Sequence, residues 1–183
     1  MKYFTLDWYH RDRYNDGDEE YGRTAFERYK RHLEEMQSVL PAEALELARL
    51  RGVDDGLVVE VQHNRSEHVL TLTLRCGDNQ MGYYDLIVGY EGATISPQDE
   101  QMLARVARTT KSERYHESDA AFHELDRLED GHIEHRFLFH PGREFAIKCK
   151  ALHWEKVSRP NRMLPRALDR FPGGPSEEVL GEG

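Results

Sequence analysis

The 183 residues suffice for one domain with a real core and are too few for two full ones. With 38% hydrophobic and 32% charged residues the chain is polar yet outside the disordered class, and no apolar run approaches the roughly 20 residues that span a bilayer. The formal charge of −9 argues against a protein that coats nucleic acid through its overall field.

The N-terminal stretch MKYFTLDWYH has no apolar h-region, so no secretory signal is expected. Residues 1–52 read as helical. Phe26, Tyr29, Leu33, Met36 and Leu40 recur at three- and four-residue intervals and form one apolar stripe. Pro41 suits a helix start, and Gly52 suits a stop that needs positive φ. Residues 56–93 read as three strands. Leu57, Val59 and Val61 alternate with polar residues, Leu70, Leu72, Leu74 and Cys76 do so against Thr71, Thr73 and Arg75, and Tyr84, Leu86, Val88 and Tyr90 share a face. The glycines of GYEG lack the spacing of a phosphate loop, and no other cofactor motif is present, so no cofactor is expected. A helix over 96–109 follows, capped by Ser96, with Pro97 first and Met102, Leu103 and Val106 on its apolar face.

Residues 113–157 form a second three-stranded unit that holds His132, His135, His140 and His153. Asp130-Gly131 predicts a two-residue hairpin loop, which sets Asp126 across from His135 and Glu124 across from Phe137. Ile133, His135, Phe137 and Phe139 then share the core side. A three-residue loop over 140–142 pairs Phe137 with Phe145, His135 with Ile147 and Ile133 with Cys149. Past Ala151 the alternation slips, and a bulge or strand end is expected there. Cys76 and Cys149 fall in apolar strand patterns without CxxC spacing and read as buried free thiols, which points to a reducing, cytoplasmic location. Residues 158–183, rich in proline and glycine, read as a mobile tail outside a domain spanning 1–157. The fold class is thus α+β: N-terminal helices on a mostly antiparallel sheet of about six strands, with one short helix between two three-stranded units.

The most specific polar cluster is His135 with Asp126 and Glu124, because a carboxylate facing an imidazole orients it and raises its pKa. It reads either as a catalytic acid–base set, with Asp55 as a further member, or as a buried polar pair that fixes register. No GxSxG elbow or equivalent supplies a nucleophile. A metal site is not expected, since residues three apart on a strand, such as His132 and His135, face opposite sides. Asp55, Arg136 and Trp154 are candidate binding residues, and Trp8, Tyr9 and Tyr83 are further candidate exposed aromatics. Between Arg143 and Arg170 eight Lys and Arg stand against three acids, a basic end on an acidic body.

KYFT followed by Trp8-Tyr9, and the pattern from Glu129 through Glu134-His135-Arg136 to Phe139, resemble a bacterial family called domain of unknown function 4085. The resemblance covers residues 1 to about 157 and implies a helical N-terminus before a mostly antiparallel sheet, and no activity. The stretch from Val53 through Cys76 is similar to small bacterial immunity-like proteins, whose equivalent strand opens with Leu-His-Asp. Here Val53 and Asp54 replace the first two, and only Asp55 keeps the pattern. The expected function is a cytoplasmic bacterial module that binds another macromolecule, a protein rather than nucleic acid or membrane, in an immunity or regulatory role. The alternative is a hydrolase-type enzyme using the acid–histidine cluster.

Overall fold

The computed structural model describes residues 1–14, 19–50, 52–110, 119–140 and 142–162. The fold is α+β, with four α-helices and an eight-stranded antiparallel sheet among the described residues. Helices α1 (Leu6–Tyr14), α2 (Glu19–Glu35) and α3 (Ala42–Ala48) precede β1 (Gly56–Asn64), β2 (Val69–Asp78), β3 (Gly82–Glu91) and the short β4 (Thr94–Ile95). Then come α4 (Pro97–Thr110), β5 (Asp119–Arg127), β6 (Ile133–Phe139), β7 (Arg143–Cys149) and β8 (Ala151–Arg159). The expected strand start at 113 falls outside the described residues.

The strand count exceeds the expected six because two strands bend. The sheet order is β4-β7-β6-β5-β1-β2-β3-β8. β3 leads into β4, and β7 into β8, and the pairing of the two long strands keeps one register through the bend: Glu91 opposes Ala151, Thr94 opposes Lys148, and the Lys150 N–H donates to the Glu91 carbonyl between them. Since β4 and β8 are the two ends of the order, this shared corner curls the sheet back on itself. Gly92 has φ +61 at the corner, and a Cβ there would press on the Lys150 side chain. The slip of alternation seen after Ala151 is this corner, where a strand leaves one ladder and enters another.

The curl gives the sheet an inside. Leu70, Leu72, Leu74 and Cys76 pair with Tyr90, Val88, Leu86 and Tyr84 on the inner face, and all are buried. Ile133, His135 and Phe137 pair there with Cys149, Ile147 and Phe145, as the three-residue loop requires. Both cysteines are buried free thiols. On β1 the expected alternation breaks: a bulge between Val58 and Glu60 puts Val58 and Val61, not Leu57 and Val59, opposite the inward leucines of β2. α3 packs across β8 and β5, and α4 across β1 and β7, so each helix joins strands that are not neighbours in the ladder. The Ser96 hydroxyl accepts from the Asp99 N–H at 3.0 Å, which caps α4 as its sequence suggests. In the N-terminal stripe, Tyr29, Leu33 and Leu40 are buried, but Phe26 is 48% exposed and packs edge-on to Trp8 and Phe122 and at a tilt to Phe4.

Strand β8 runs past the boundary expected at 157 to Arg159, and Arg159, Asn161 and Arg162 bond to the rest of the fold, while 163–183 lie outside the described residues. Arg75 and Asp85 face each other on the outer side of β2 and β3 and are both 3% exposed. Arg159 Nε donates to Asp85 at 2.6 Å, and Arg75 reaches the Asn161 carbonyl at 3.4 Å. Removing the carboxylate of Asp85 would strand a buried guanidinium. Asp85→Ala is expected to cost about 3–5 kcal/mol in urea denaturation. Arg159→Ala, at a partly exposed partner, is expected to cost under about 1 kcal/mol.

Candidate functional site

The Asp-Gly hairpin turns out one residue longer than its sequence suggests. The Gly131 N–H donates to the Leu128 carbonyl and the Leu128 N–H to the His132 carbonyl, so Glu129–Gly131 make a three-residue loop with Gly131 at φ +83. Every pairing therefore shifts by one. Leu125 opposes His135, Asp126 opposes Glu134, Glu124 opposes Arg136 and His123 opposes Phe137. Asp126 and Glu124 lie on the outer face and His135 on the inner one. The expected Asp126–His135 pair does not exist, and the hydrolase reading built on it loses its acid.

On the outer face the two acids hold the chain's own N-terminal segment. Glu124 is buried, and its carboxylate accepts from the N–H groups of Lys2 at 2.8 Å and of Tyr3 and Phe4 at 2.7 Å each. Asp126 accepts from Lys2 Nζ at 3.1 Å and lies 3.1 Å from His32 Nε2. Phe4 stacks on Phe122 alongside. Arg136 pairs with Glu134 and stands 3.9 Å from Glu124. It completes a structural network.

On the inner face His135 is 1% exposed and belongs to a chain of buried polar groups. Its Nδ1 is 2.9 Å from the Tyr90 hydroxyl, its Nε2 is 3.1 Å from His123 Nδ1, and its ring lies against Phe137. Burial raises the Tyr90 pKa well above its usual value, so the hydroxyl keeps its proton. A neutral His135 donates from one ring nitrogen and accepts at the other, which links Tyr90 and His123 into one hydrogen-bonded chain. Burial lowers the His123 pKa to about 4, and burial, with the charge of His123, also lowers that of His135 well below its usual value. Both rings are neutral at pH 7. His123 was invisible to the two-residue loop, which turned it outward; with a three-residue loop the same alternation brings it beside His135.

The remaining candidates divide. Trp154 is half-buried and ties α3 to β8, its Nε1 donating to the Glu43 carbonyl at 3.0 Å. Trp8 and Tyr9 are buried rather than exposed, and Tyr83 is half-buried. Asp55 does border an open recess. It has φ 64, a strained value that Asp tolerates better than most residues, and its N–H donates to the Ala120 carbonyl at 2.7 Å where β1 meets β5. The recess holds about 300 Å³ and is lined by Tyr9, Asp54, Asp55, Asp119, Phe122 and His140, among others. The Tyr9 hydroxyl is 2.7 Å from His140 Nδ1. Although Asp54 lies at the exposed rim, burial of its carboxyl on the recess side and the charge of Asp55 raise its pKa above the usual carboxylate range. Arg162, from the docked segment, donates to the Asp55 carbonyl at 2.8 Å and stands 3.5 Å from Asp119. Among the described residues no group of three or more His, Cys, Asp or Glu is placed to hold a metal ion.

Four of the six described cations of the basic segment are engaged within the fold. Lys148 pairs with Asp130, Lys156 lies 4.4 Å over the Tyr84 ring, and Arg159 and Arg162 pair as described. No protein-family model matches the chain, and no curated protein or solved structure is significantly similar to it. No helix among the described residues is long and apolar enough to cross a membrane.

Two outcomes follow from this geometry. Glu124→Ala leaves three backbone N–H groups without their acceptor and is expected to cost roughly 3 kcal/mol or more, read from the urea midpoint. The histidines set a pH dependence. Their folded pKa values lie below the unfolded 6.5, so the unfolded chain binds protons first as pH falls. Stability is full above pH 6.5 and declines toward pH 4, by on the order of 3 kcal/mol from His123 alone. In proton NMR the His123 ring signals are expected to stay unshifted down to about pH 5.

Proposed function

We propose that the protein works by binding another protein, and that the recess where β1 meets β5 receives a basic side chain of that partner. The observation that carries this reading is the recess itself: Asp54, Asp55 and Asp119 stand around an open cavity walled by Tyr9 and Phe122. Carboxylates attract a guanidinium or ammonium, and aromatic rings favour a cation against their faces. The chain's own Arg162 already stands at the rim against Asp119 and the Asp55 carbonyl, so a guanidinium is accommodated there. An acidic body with net charge −9 would also steer a basic partner toward it. An immunity or regulatory role in the cytoplasm is the specific form of this proposal, and it rests on the resemblance read in the sequence around Asp55.

A second reading, acid–base catalysis, is favoured by one feature of the same recess: the Tyr9–His140 hydrogen bond lies near an aspartate with a raised pKa. It lacks a positioned nucleophile, so binding remains the leading reading.

Immobilised parent chain and an Asp54→Asn, Asp119→Asn variant, incubated with lysate of the native host, separate the possibilities. A protein retained by the parent, held at least about tenfold more weakly by the variant and released as salt rises from about 50 to 300 mM, is the expected outcome. Equal retention by both chains, or retention of nucleic acid in its place, would sink the reading.

A further inference from the structure

Phe26 breaks the burial pattern of its own stripe. It lies in the middle of α2 on the side of Tyr29 and Leu33, both buried, yet it is 48% exposed. Val39 and Met81, the other large apolar side chains that stand exposed among the described residues, sit in turns, where single exposed apolar groups are ordinary. Phe26 instead ends a cluster of rings. Its centroid lies 5.0 Å from that of Phe4, 6.0 Å from Trp8 and 5.7 Å from Phe122. These neighbours hold the ring on one side and leave it open to solvent on the other.

Phe122 joins this cluster to the acidic recess. It is half-buried, stacks on Phe4 at 4.9 Å, and lines the recess together with Ala121, Tyr9 and the aspartates. Apolar surface therefore continues from the recess wall over Phe122 to Phe26. In an extended chain, alternate side chains point the same way and stand about 7 Å apart. The Phe26 and Phe122 rings are separated by a similar 5.7 Å. A segment with one side chain in the recess thus brings the side chain two positions away onto Phe26.

We infer that Phe26 is the apolar contact of the binding surface, and that the partner presents an arginine with a large apolar side chain two residues away in an extended segment. The inference rests on the reading of the recess as a site for a basic side chain. Asp54, Asp55 and Asp119 attract the guanidinium, and Tyr9 and Phe122 offer ring faces to its flat surface. The apolar side chain covers a ring already held by three others, so little side-chain freedom is lost on binding. Arginine and aromatic side chains in well-packed positions carry much of the affinity of protein interfaces.

NMR titration of the full chain at constant ionic strength tests the inference. The probes are the capped tripeptides acetyl-Arg-Gly-Phe-amide, acetyl-Phe-Gly-Arg-amide, acetyl-Arg-Gly-Gly-amide and acetyl-Gln-Gly-Phe-amide. The better of the two peptides that carry both arginine and phenylalanine is expected to bind saturably below about 20 mM, and roughly threefold to tenfold tighter than the arginine–diglycine peptide. The amide shifts that phenylalanine adds are expected on α2 around Phe26 and on β5 around Phe122. In Phe26→Ser the gain from phenylalanine is expected to vanish, and the added shifts of the parent chain decide the matter where that variant does not fold. Equal affinity for the arginine peptides with and without phenylalanine overturns the inference and leaves the recess reading standing. So does an undiminished gain in Phe26→Ser, or added shifts that fall away from Phe26. Binding of the glutamine peptide as tight as that of the arginine peptides, or no saturable shift with any peptide, overturns the recess reading and this inference with it.

Discussion

The shared corner at Gly92 and Lys150 imposes the constraint from which the other features follow. Two long strands bend together there without losing register, so the sheet has an enclosed side and an outward side instead of two open faces. Strands β5 and β6 are then covered twice, by the enclosed core and by the N-terminal helices. A polar residue on either face must find a partner inside the protein. Glu124 finds three backbone N–H groups of the N-terminal segment, and His135 finds Tyr90 and His123. The first arrangement gives a buried carboxylate its donors, and the second keeps two buried imidazoles neutral.

This double coverage also explains which parts of the fold were legible in the sequence. Strands with one polar face declare themselves by alternation, and β2 and β3 were read correctly from Leu70–Cys76 and Tyr84–Tyr90. The hairpin over 140–142 was fixed because Phe145, Ile147 and Cys149 leave one register that keeps the inner face apolar. β5 offers no such arbiter. Phe122, Glu124 and Asp126 on one side compete with His123 and Leu125 on the other, and both sides are buried or half-buried. Only turn chemistry remained to choose, and Asp130-Gly131 serves a two-residue loop or a three-residue loop with Gly131 in the left-handed region. A one-residue difference exchanged the faces and dissolved the acid–histidine pair. The eighth strand was missed for a related reason: a strand that changes ladders at a corner looks, in sequence, like a strand that ends.

Charge in this protein is arranged in two ways. Several cations answer acids of the same chain, among them Lys148, Arg159 and Arg162 of the basic segment, which are distributed over Asp130, Asp85 and Asp119. A run of positive charge in sequence is thus divided among separate ion pairs in the fold. The acids around the β1–β5 recess differ: burial of the Asp54 carboxyl, with the charge of Asp55 beside it, raises the Asp54 pKa.

Residues first suspected of chemistry, Glu124, Asp126, Arg136 and His135, have their hydrogen-bonding needs met within the fold, and a group so satisfied has little left to offer a ligand. Asp55 is different: it holds a backbone conformation unfavourable to side-chain-bearing residues, at the edge of an open recess. Strain of that kind persists only where the surroundings fix it, and here the Asp55 N–H is bonded to the Ala120 carbonyl across the junction of β1 and β5 while its own carbonyl accepts from Arg162. Its backbone is thus held on both sides, and its carboxylate is left at the recess.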